Sequence, residues 1–295
     1  MRLVLTLVAP NFDELQEALP AAVEAIAAAG APVSDMAVLG EGAADLFVDG
    51  VALDALRAHA ARGLERAPVD HCVQAAAGRR KRLLVADMDS TIIGVECLDE
   101  LADFAGLKGE IAAITARAMA GEIAFEGALR ERVGLLAGLE LDALERTYDE
   151  RVRLNPGAGR LIATMNAHGA RCVLVSGGFD FFTGRVAAAA GFATHRANRL
   201  IHDGARLSGA VAEPILGREA KLAALTQEAA LLGIDLAETL AVGDGANDLA
   251  MIEAAGLGVA YRAKPVVAGR ADARIEITDL TALLYFQGYG QDAFA

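Results

Sequence analysis

Two aspartates spaced two residues apart, Asp87 and Asp89, follow a short apolar run in this sequence. The run, Leu83 to Ala86, has the length and the continuous apolar character of a buried parallel strand. Ligands of open α/β sheets bind beyond the carboxyl ends of such strands. Two carboxylates there are costly to bury without a partner, so we expect them to bind a cation or to transfer a proton. Taken alone, the pair is equally typical of an acidic turn after a strand.

Three further stretches place polar groups at the end of an apolar run or at the start of a predicted helix. They are Ser176-Gly177-Gly178, Lys221, and the loop that carries Asp244, Asn247 and Asp248. Each has an ordinary interpretation, since a hydroxyl with glycines is a common helix N-cap and Gly-Asp-Gly is a common turn. A helical lysine is likewise most often a solvated surface residue.

Together, these four stretches describe a phosphate site with a hard metal ion. Carboxylate oxygens suit Mg²⁺, which prefers one or two carboxylates together with water and phosphate oxygens. A hydroxyl and backbone N–H groups at a helix N-terminus suit an anion, and a lysine adds a point positive charge. The combination is far more specific than any of its parts.

Composition and charge narrow the class of protein. The 295 residues are enough for two domains, or for one domain with a large insertion. A net charge of −13 argues against nucleic acid and against an anionic membrane as partners. The three cysteines are odd in number and far apart, which favours a reducing compartment. No stretch has the length of a transmembrane helix, so we predict a cytoplasmic protein.

The elements that must position these groups fall into an N-terminal unit, a core and an insertion. Residues 1–77 predict the order β-α-β-β-α-β, a ferredoxin-like arrangement that resembles the ACT family of small-molecule-sensing domains. A purely structural role for this unit is the alternative. Its predicted strands are 3–9, 32–39, 45–49 and 69–75, and its predicted helices are 12–29 and 53–64. The basic segment 78–82 is interpreted as a solvated linker.

The core is predicted as an α/β doubly wound parallel sheet, because strands alternate with helices over residues 83–93 and 155–295. Its later strands are predicted at 171–175, 239–242, 257–260 and 274–277, with a hairpin over 200–211, and its helices at 158–168, 179–190 and 217–232. Residues 94–154 predict four helices, at 97–104, 111–120, 125–136 and 141–152. We interpret this block as a helical cap inserted in the core, which can exclude water from the site.

The four motifs resemble those of the haloacid-dehalogenase superfamily of phosphatases. The resemblance covers about residues 82–285 and implies the Rossmann-like sheet of that superfamily. Within it, the chain resembles the phosphoserine phosphatase family, some long members of which have an ACT-like N-terminal domain. The closer resemblance depends on residues 87–96, on residues 125–132 and on residues 242–248.

The resemblance implies roles for the motif residues. Asp87 would be the nucleophile that forms an aspartyl-phosphate. Asp89 would protonate the leaving oxygen and then act as the base toward water. Mg²⁺ would be held by Asp87, the Asp89 main-chain carbonyl and Asp244, with support from Asp248. The phosphoryl oxygens or the attacking water would be bound by Ser176, Gly177, Gly178, Lys221 and Asn247.

The resemblance also implies a small-molecule substrate, O-phospho-L-serine, and a place in the final step of L-serine biosynthesis. Glu96 would bind the substrate ammonium, and Arg132 would bind its carboxylate through a bidentate fork. Met119 and Phe125 would close the apolar side of the site. Without the resemblance, Glu96 and Arg132 would be interpreted as helix-surface charges. L-serine or another amino acid as an effector of the N-terminal unit, and a homodimer, are further partners to consider.

Two other hypotheses remain open at this point. One keeps the chemistry but changes the substrate to another small phosphorylated amine or amino acid. The other makes the chain a ligand-sensing regulator whose core only binds phosphate. A pure binder has no use for both Asp87 and Asp89, which favours the hydrolase.

Overall fold

The structure is a computed structural model, and it describes residues 1–119 and 122–295, the side chain of Met119 excepted. The described residues contain the following strands: β1 (Leu3–Val8), β2 (Val33–Gly40), β3 (Ala43–Val48), β4 (Asp70–Ala75), β5 (Leu83–Ala86), β6 (Arg171–Phe179), β7 (Thr194–Asn198), β8 (Leu200–His202), β9 (Leu207–Val211), β10 (Thr239–Gly243), β11 (Leu257–Tyr261) and β12 (Ala273–Ile275). β8 and β9 form a separate hairpin, and the other strands form one sheet.

The helices surround this sheet. In chain order they are α1 (Phe12–Ala28), α2 (Leu53–Gly63), α3 (Cys97–Phe104), α4 (Lys108–Met119), α5 (Phe125–Leu135), α6 (Asp142–Arg151), α7 (Ala158–Ala167), α8 (Asp180–Ala190), α9 (Arg218–Leu232), α10 (Leu249–Ala254), α11 (Pro265–Ala268) and α12 (Ala282–Phe286). Within the described residues, no helix combines the length and the apolar character that crossing a membrane requires.

The ten-stranded sheet has the order β2-β3-β1-β4-β12-β11-β10-β5-β6-β7. The six strands from β12 to β7 are parallel. Along β5, Leu83 and Val85 belong to the hydrophobic core formed with α9, α10 and α11, whereas Leu84 and Ala86 belong to the core formed with α7 and α8. Because helices cover both faces, the predicted doubly wound parallel sheet is confirmed.

The N-terminal unit has the predicted order of strands and helices. Its strands are antiparallel, and α1 and α2 pack on one face around buried residues such as Leu5, Leu15 and Leu56. α1 begins after Asn11, whose side-chain oxygen accepts a hydrogen bond from the Glu14 N–H at 3.0 Å, an ordinary N-cap. The ACT-like identity of the unit and the domain boundaries stay predictions.

A short seam joins the N-terminal strands to the core. β4 pairs antiparallel with β12 through only two residue pairs, Cys72–Ala273 and His71–Arg274. The sequence predicts two separate units and does not predict this pairing between their strands. Two residue pairs between polar, short strands carry no periodicity that could reveal them.

The segment 78–82 is not a solvated linker, contrary to the prediction. Arg79 forms an ion pair of 2.6 Å with the fully buried Asp45, and Lys81 is 6% exposed. The Lys81 ammonium donates to the carbonyl of Ala237 at 2.7 Å. The buried Asp45 carboxylate and the Ala237 main-chain carbonyl therefore hold two of the four cations against the protein, whereas Arg80 and Arg82 are exposed.

Asp70 stabilises the seam between β4 and β12. Replacing Asp70 by alanine is expected to lower the free energy of unfolding by about 2–3 kcal/mol. The buried Asp70 carboxylate accepts N–H groups of Glu276 (2.8 Å) and Thr278 (2.8 Å) and the Thr278 hydroxyl (2.6 Å), which would lose their acceptor. Urea denaturation measures the change. The matched control is Asp35→Ala, which removes an exposed pair with Arg2 and should cost at most about 1 kcal/mol. Equal losses in both variants would contradict the assigned role of Asp70.

The block 94–154 consists of helices α3 to α6, as predicted. A bridge between Ile93 and Leu154 brings its two ends together beside β5. The β8–β9 hairpin holds it from the core side, since the Gly138 N–H donates to the Leu207 carbonyl (2.8 Å) and the Leu207 N–H to that of Leu139 (2.9 Å). This arrangement places the helices over the carboxyl end of β5, where a cap would have to lie.

Candidate active site

Three carboxylates meet at the carboxyl edge of the parallel sheet. Asp87 follows β5, and Asp244 and Asp248 follow β10, its parallel neighbour. The Asp87 N–H donates to the Val242 carbonyl at 3.0 Å and so continues the pairing of the two strands. One carboxylate oxygen from each aspartate lies within 4.8 Å of the others. The predicted convergence of these residues is present in the structure.

Lys221 joins two of these carboxylates. Its ammonium lies 2.7 Å from Asp87 Oδ1 and 2.6 Å from Asp248 Oδ1, and the side chain is buried. Burial alone would lower the lysine pKa, but the charges of Asp248 and Asp87 outweigh it and raise the pKa above its usual value. Lys221 is therefore a permanent cation inside the site, not the surface residue that a helical lysine usually is.

The cluster has the charge and the donor atoms for a divalent metal ion. Burial, followed by the charge of Asp248, raises the pKa of Asp87 well above its usual value and raises the pKa of Asp244 as well. Three carboxylates against one lysine leave an excess of two negative charges when all are ionised. A hard divalent cation with a preference for carboxylate oxygens would neutralise that excess.

Asp89 has different partners from Asp87. Its Oδ1 accepts the Cys97 N–H at 2.9 Å, and its Oδ2 accepts the Ser176 hydroxyl at 2.9 Å. Burial raises the pKa of Asp89, so its protonated form is favoured more than in water. The two aspartates are thus prepared for different tasks, one beside a lysine and the acidic cluster, the other at the base of the cap.

An unusual backbone conformation follows Asp89. Ser90 has φ +56°, which a residue with a side chain seldom adopts. The chain turns within residues 88–92 and returns to extended geometry at Ile93. Such left-handed residues persist where the surrounding structure holds them, often beside functional sites.

Ser176 lies inside β6 and not at the start of a helix, contrary to the prediction, whereas the helix predicted at 179–190 is present as α8. β6 continues to Phe179, which pairs with Asn198 of β7, and α8 begins only at Asp180. The Ser176 hydroxyl donates to Asp89 and accepts the Gly178 N–H at 2.8 Å. A Cβ on Gly178 would lie 3.1 Å from Asp89 Oδ2, so a side chain there would press on that carboxyl group. Gly178 therefore leaves space beside Asp89.

Asn247 completes the loop after β10. Its side chain is half-buried, and a Cβ on Gly245 would collide with the Asn247 amide oxygen. Likewise, a Cβ on Gly243 would collide with the Asp248 carboxylate, whose Oδ2 accepts the Gly245 N–H at 3.0 Å. The two glycines are required because Asn247 and Asp248 fold back over the loop.

The cap contributes side chains of both charges and an aromatic ring. Phe125 lies against the core, since a Cβ on Gly177 would be 3.4 Å and one on Gly217 would be 3.6 Å from its ring. Arg132 is half-buried on the same helix, and its Nε donates to the Ala128 carbonyl at 3.2 Å. The position predicted for the Met119 side chain lies outside the described residues.

Glu96 lies at the mouth of the site. Its Oε1 accepts the Ser90 hydroxyl at 2.7 Å, and the residue is exposed at one side. Partial desolvation of the carboxylate by the surrounding protein, and then the charge of Asp89, raise the pKa of Glu96 to about 7. Burial lowers the pKa of the Arg132 guanidinium, and the charges of Asp99 and then Glu96 oppose that effect. The two predicted specificity residues therefore share one electrostatic environment.

Three groups that hold the site together have no role assigned from the sequence. Asn198 donates to the Gly177 carbonyl at 2.8 Å and accepts the Leu216 N–H at 2.7 Å, so it ties the end of β6 to the approach to α9. The Thr91 hydroxyl lies 3.4 Å from Asp244 Oδ1, and Cys97 supplies an N–H to Asp89. Of the three, only Thr91 belongs to a motif seen in the sequence, four residues after Asp87.

Comparison with known proteins agrees with this geometry. The family model of haloacid dehalogenase-like hydrolases matches residues 84–253. The phosphoserine phosphatase of Streptomyces coelicolor is 43% identical over 249 residues, which are 83% of this chain and 60% of that protein. The matched region therefore spans less than two thirds of that relative.

Two solved structures resemble the fold. A HAD family hydrolase from Salmonella enterica serovar Typhi has a TM-score of 0.84 at 27% identity, over 99% of both chains. A phosphoserine phosphatase described as a phospho-aspartyl intermediate analogue has a TM-score of 0.65 at 39% identity, over 70% of this chain and 99% of that one.

The family match covers more than half of the chain and contains the whole acidic cluster, Lys221 and Ser176. The resemblance noted from the motifs is thereby confirmed. The chain belongs to the haloacid dehalogenase-like hydrolase family of enzymes, close to the phosphatases within it.

Proposed function

We propose that the enzyme is a Mg²⁺-dependent phosphatase that hydrolyses O-phospho-L-serine to L-serine and phosphate. The observation that carries the proposal is the separation of Asp87 and Asp89 into two environments, one bonded to Lys221 and one bonded to Ser176. Covalent phosphoryl transfer needs a nucleophile and an acid as separate groups. The names of the relatives support the substrate.

Asp87 is the nucleophile in this mechanism. Its carboxylate attacks phosphorus and forms an aspartyl-phosphate while the bond to the serine oxygen breaks. Lys221, bonded to Asp87 Oδ1, keeps the carboxylate oriented and offsets part of the repulsion between two anions. Water then hydrolyses the acyl phosphate and frees Asp87.

Asp89 is first the general acid and then the general base. Its raised pKa favours the protonated form, which donates to the departing serine oxygen. The resulting carboxylate then accepts a proton from the hydrolytic water. Before substrate binds, the Ser176 hydroxyl and the Cys97 N–H hold the two Asp89 oxygens in place.

Asp87, Asp244, Asp248 and the Asp89 main-chain carbonyl would hold the Mg²⁺ ion. When bound, this ion supplies positive charge that lets an anionic nucleophile approach an anionic phosphate. The chain's own donors to the phosphoryl oxygens would be Ser176, the N–H groups of Gly177 and Gly178, Lys221 and Asn247. Thr91 keeps Asp244 in position through its hydroxyl.

Substrate choice belongs to the cap. Glu96 at the mouth has the charge for the substrate ammonium, and Arg132 has the bidentate geometry for its carboxylate. Phe125, packed against Gly177 and Gly217, closes the apolar side. A phosphate ester that lacks either charged group would leave one of these side chains without a partner.

The test is phosphate release from O-phospho-L-serine, phosphothreonine, phosphoethanolamine and p-nitrophenyl phosphate, each with and without Mg²⁺. We expect a strong, metal-dependent preference for phosphoserine. Arg132→Gln should raise KM for phosphoserine about 10- to 100-fold, because the substrate carboxylate loses two charge-assisted hydrogen bonds. Arg130→Gln, on the same helix but paired with Glu213 at the surface, is the matched control and should leave KM unchanged. Equal turnover of all four esters would overturn the substrate assignment.

Binding of the substrate ammonium should strengthen as pH rises through about 7. Below that pH, Glu96 is protonated and cannot pair with an ammonium group, because its pKa is raised to about 7. The ratio kcat/KM for phosphoserine should therefore increase between pH 6 and 8. Glu96→Gln should remove this increase, and p-nitrophenyl phosphate, which has no ammonium group, should not show it. A pH profile identical in wild type and Glu96→Gln would contradict the assignment.

A further inference from the structure

Asn198, the last residue of β7, is a buried polar residue to which the proposed mechanism assigns no role. It is 2% exposed, and its side-chain amide forms hydrogen bonds with main-chain atoms of two other segments. Nδ2 donates to the carbonyls of Gly177 (2.8 Å) and Leu216 (3.2 Å), and Oδ1 accepts the Leu216 N–H at 2.7 Å. Both amide hydrogens and the amide oxygen are therefore used.

The contacts with Leu216 fix the orientation of this amide. Leu216 offers an N–H to one end of the Asn198 amide and a carbonyl to the other end. A reversed amide would place donor against donor and acceptor against acceptor. Leu216 lies just before α9, which begins at Arg218. The segment that leads into α9 therefore holds the N–H group that Asn198 directs at Gly177.

The bond to Gly177 orients the peptide group that faces Ser176. The Gly177 carbonyl and the Gly178 N–H belong to one planar peptide group, so fixing the direction of one fixes the other. The Gly178 N–H donates to Ser176 Oγ at 2.8 Å, and the Ser176 hydroxyl donates to Asp89 Oδ2 at 2.9 Å. Ser176 is itself 1% exposed. A buried path of hydrogen bonds therefore leads from Asn198 to Asp89.

We propose that Asn198 is a positioning residue for the reaction, which sets the orientation of the Asp89 carboxyl group through the Gly177–Gly178 peptide and Ser176. Two successive glycines have wide conformational freedom, so the peptide between them needs a partner outside the strand to keep one direction. Proton transfer requires hydrogen-bond distance, and a small misplacement of the acid is enough to slow it. The inference rests on the proposed function in that Asp89 is taken as the general acid.

The test compares two esters that differ in their need for an acid. The serine oxygen of phosphoserine is a poor leaving group unless it is protonated, whereas p-nitrophenolate leaves without a proton. The ratio kcat/KM includes departure of the leaving group and excludes the later hydrolysis of the aspartyl-phosphate. The quantity to measure is therefore kcat/KM for phosphoserine divided by kcat/KM for p-nitrophenyl phosphate, called here the ester ratio, in the full chain with saturating Mg²⁺.

Asn198→Asp keeps the size of the side chain and the acceptor for the Leu216 N–H, but the ionised carboxylate cannot donate to Gly177. This variant should lower kcat/KM for phosphoserine about 10- to 100-fold. It should lower kcat/KM for p-nitrophenyl phosphate no more than about threefold, because that ester does not need the acid. Asn198→Ala removes the same donor without burying a charge, and it should lower the ester ratio even if Asn198→Asp does not fold.

Two control variants separate positioning from stability. Asn166→Asp removes the same kind of bond, from an exposed asparagine amide to the Gly191 carbonyl (2.8 Å), and should leave both kcat/KM values unchanged. Asp70→Ala removes buried hydrogen bonds at the seam between β4 and β12, and should leave the ester ratio unchanged. A protein that is merely destabilised has less active enzyme for both esters alike.

A second substitution at Ser176 tests the path itself. In Ser176→Ala the hydroxyl that joins Gly178 to Asp89 is absent, so adding Asn198→Asp should change the ester ratio by less than about twofold. The inference is overturned if Asn198→Asp and Asn198→Ala slow both esters equally, or if neither variant slows phosphoserine hydrolysis. It is also overturned if the effects of the Asn198 and Ser176 substitutions on the ester ratio multiply.

Failure of the proposed function would give a different result. A wild-type enzyme that hydrolyses phosphoethanolamine but not phosphoserine would refute the proposed substrate. Phosphoethanolamine, which is also an alkyl ester, would then replace phosphoserine in the ester ratio and decide the role of Asn198. Wild-type turnover of phosphoserine together with an unchanged ester ratio in both Asn198 variants would leave the proposed function standing and refute the inference.

Discussion

Replacing Asp87 with asparagine is expected to lower kcat for phosphoserine by a factor on the order of 10⁴ or more, because an amide cannot form the aspartyl-phosphate. The fold should survive, since the change is nearly isosteric. The measurement is phosphate release at saturating substrate and Mg²⁺. Asp54→Asn, an exposed aspartate in the first turn of α2, is the matched control and should keep full activity.

The same variant should also be at least as stable as the wild type in the absence of metal. Burial and the nearby Asp248 charge raise the pKa of Asp87 above its unfolded-state value, so the ionised carboxylate disfavours folding at neutral pH. The amide removes that penalty, and Lys221 retains Asp248 as a partner.

The covalent intermediate can be trapped by rapid quenching. Phosphoserine labelled in its phosphate should leave label on the wild-type protein and not on Asp87→Asn. Labelled protein in the variant, or more than a trace of turnover, would refute the covalent role of Asp87.

The convergence of Asp87, Asp244 and Asp248 could be predicted from the sequence because it follows from a simple rule. Parallel strands that each end in acidic residues place them at one edge, whatever else the chain does. The apolar runs of β5 and β10 were long enough to identify both strands. Lys221 followed from the family resemblance, since nothing in its local sequence distinguishes it from a surface lysine.

The local surroundings of Ser176 could not be predicted in the same way. Ser-Gly-Gly favours a turn or a helix start by propensity, but pairing of Phe179 with Asn198 extends β6 past the glycines. That pairing joins residues that are distant in the sequence, and local β-propensity does not reveal it. Asn198 was missed for the same reason, since its two contacts, Gly177 and Leu216, lie 18 or more residues away.

The position of the N-terminal unit relative to the core could not be predicted from the sequence either. Its internal order follows from apolar periodicity, but its attachment to the core depends on Asp70, the β4–β12 seam and the buried cations of 78–82. These are polar contacts between distant segments.

Lys221→Met is expected to lower kcat about 10²- to 10³-fold, because the phosphoryl group loses a buried positive charge in the transition state. It should also destabilise the metal-free protein by about 3–5 kcal/mol, since Asp87 and Asp248 would remain buried without their cation. The pKa of Asp87 is raised well above its usual value, and protonation removes the penalty of burying its charge, so this loss should be smaller near pH 5 and should grow as pH rises toward 8. Saturating Mg²⁺ should restore part of the stability, because the same carboxylates would bind the ion. Phosphate release measures kcat, and thermal unfolding across that pH range, with and without Mg²⁺, measures the effects on stability. Lys108→Met, at an exposed lysine of the cap, is the control. A deficit independent of both pH and Mg²⁺ would show that Lys221 acts by packing, not by charge.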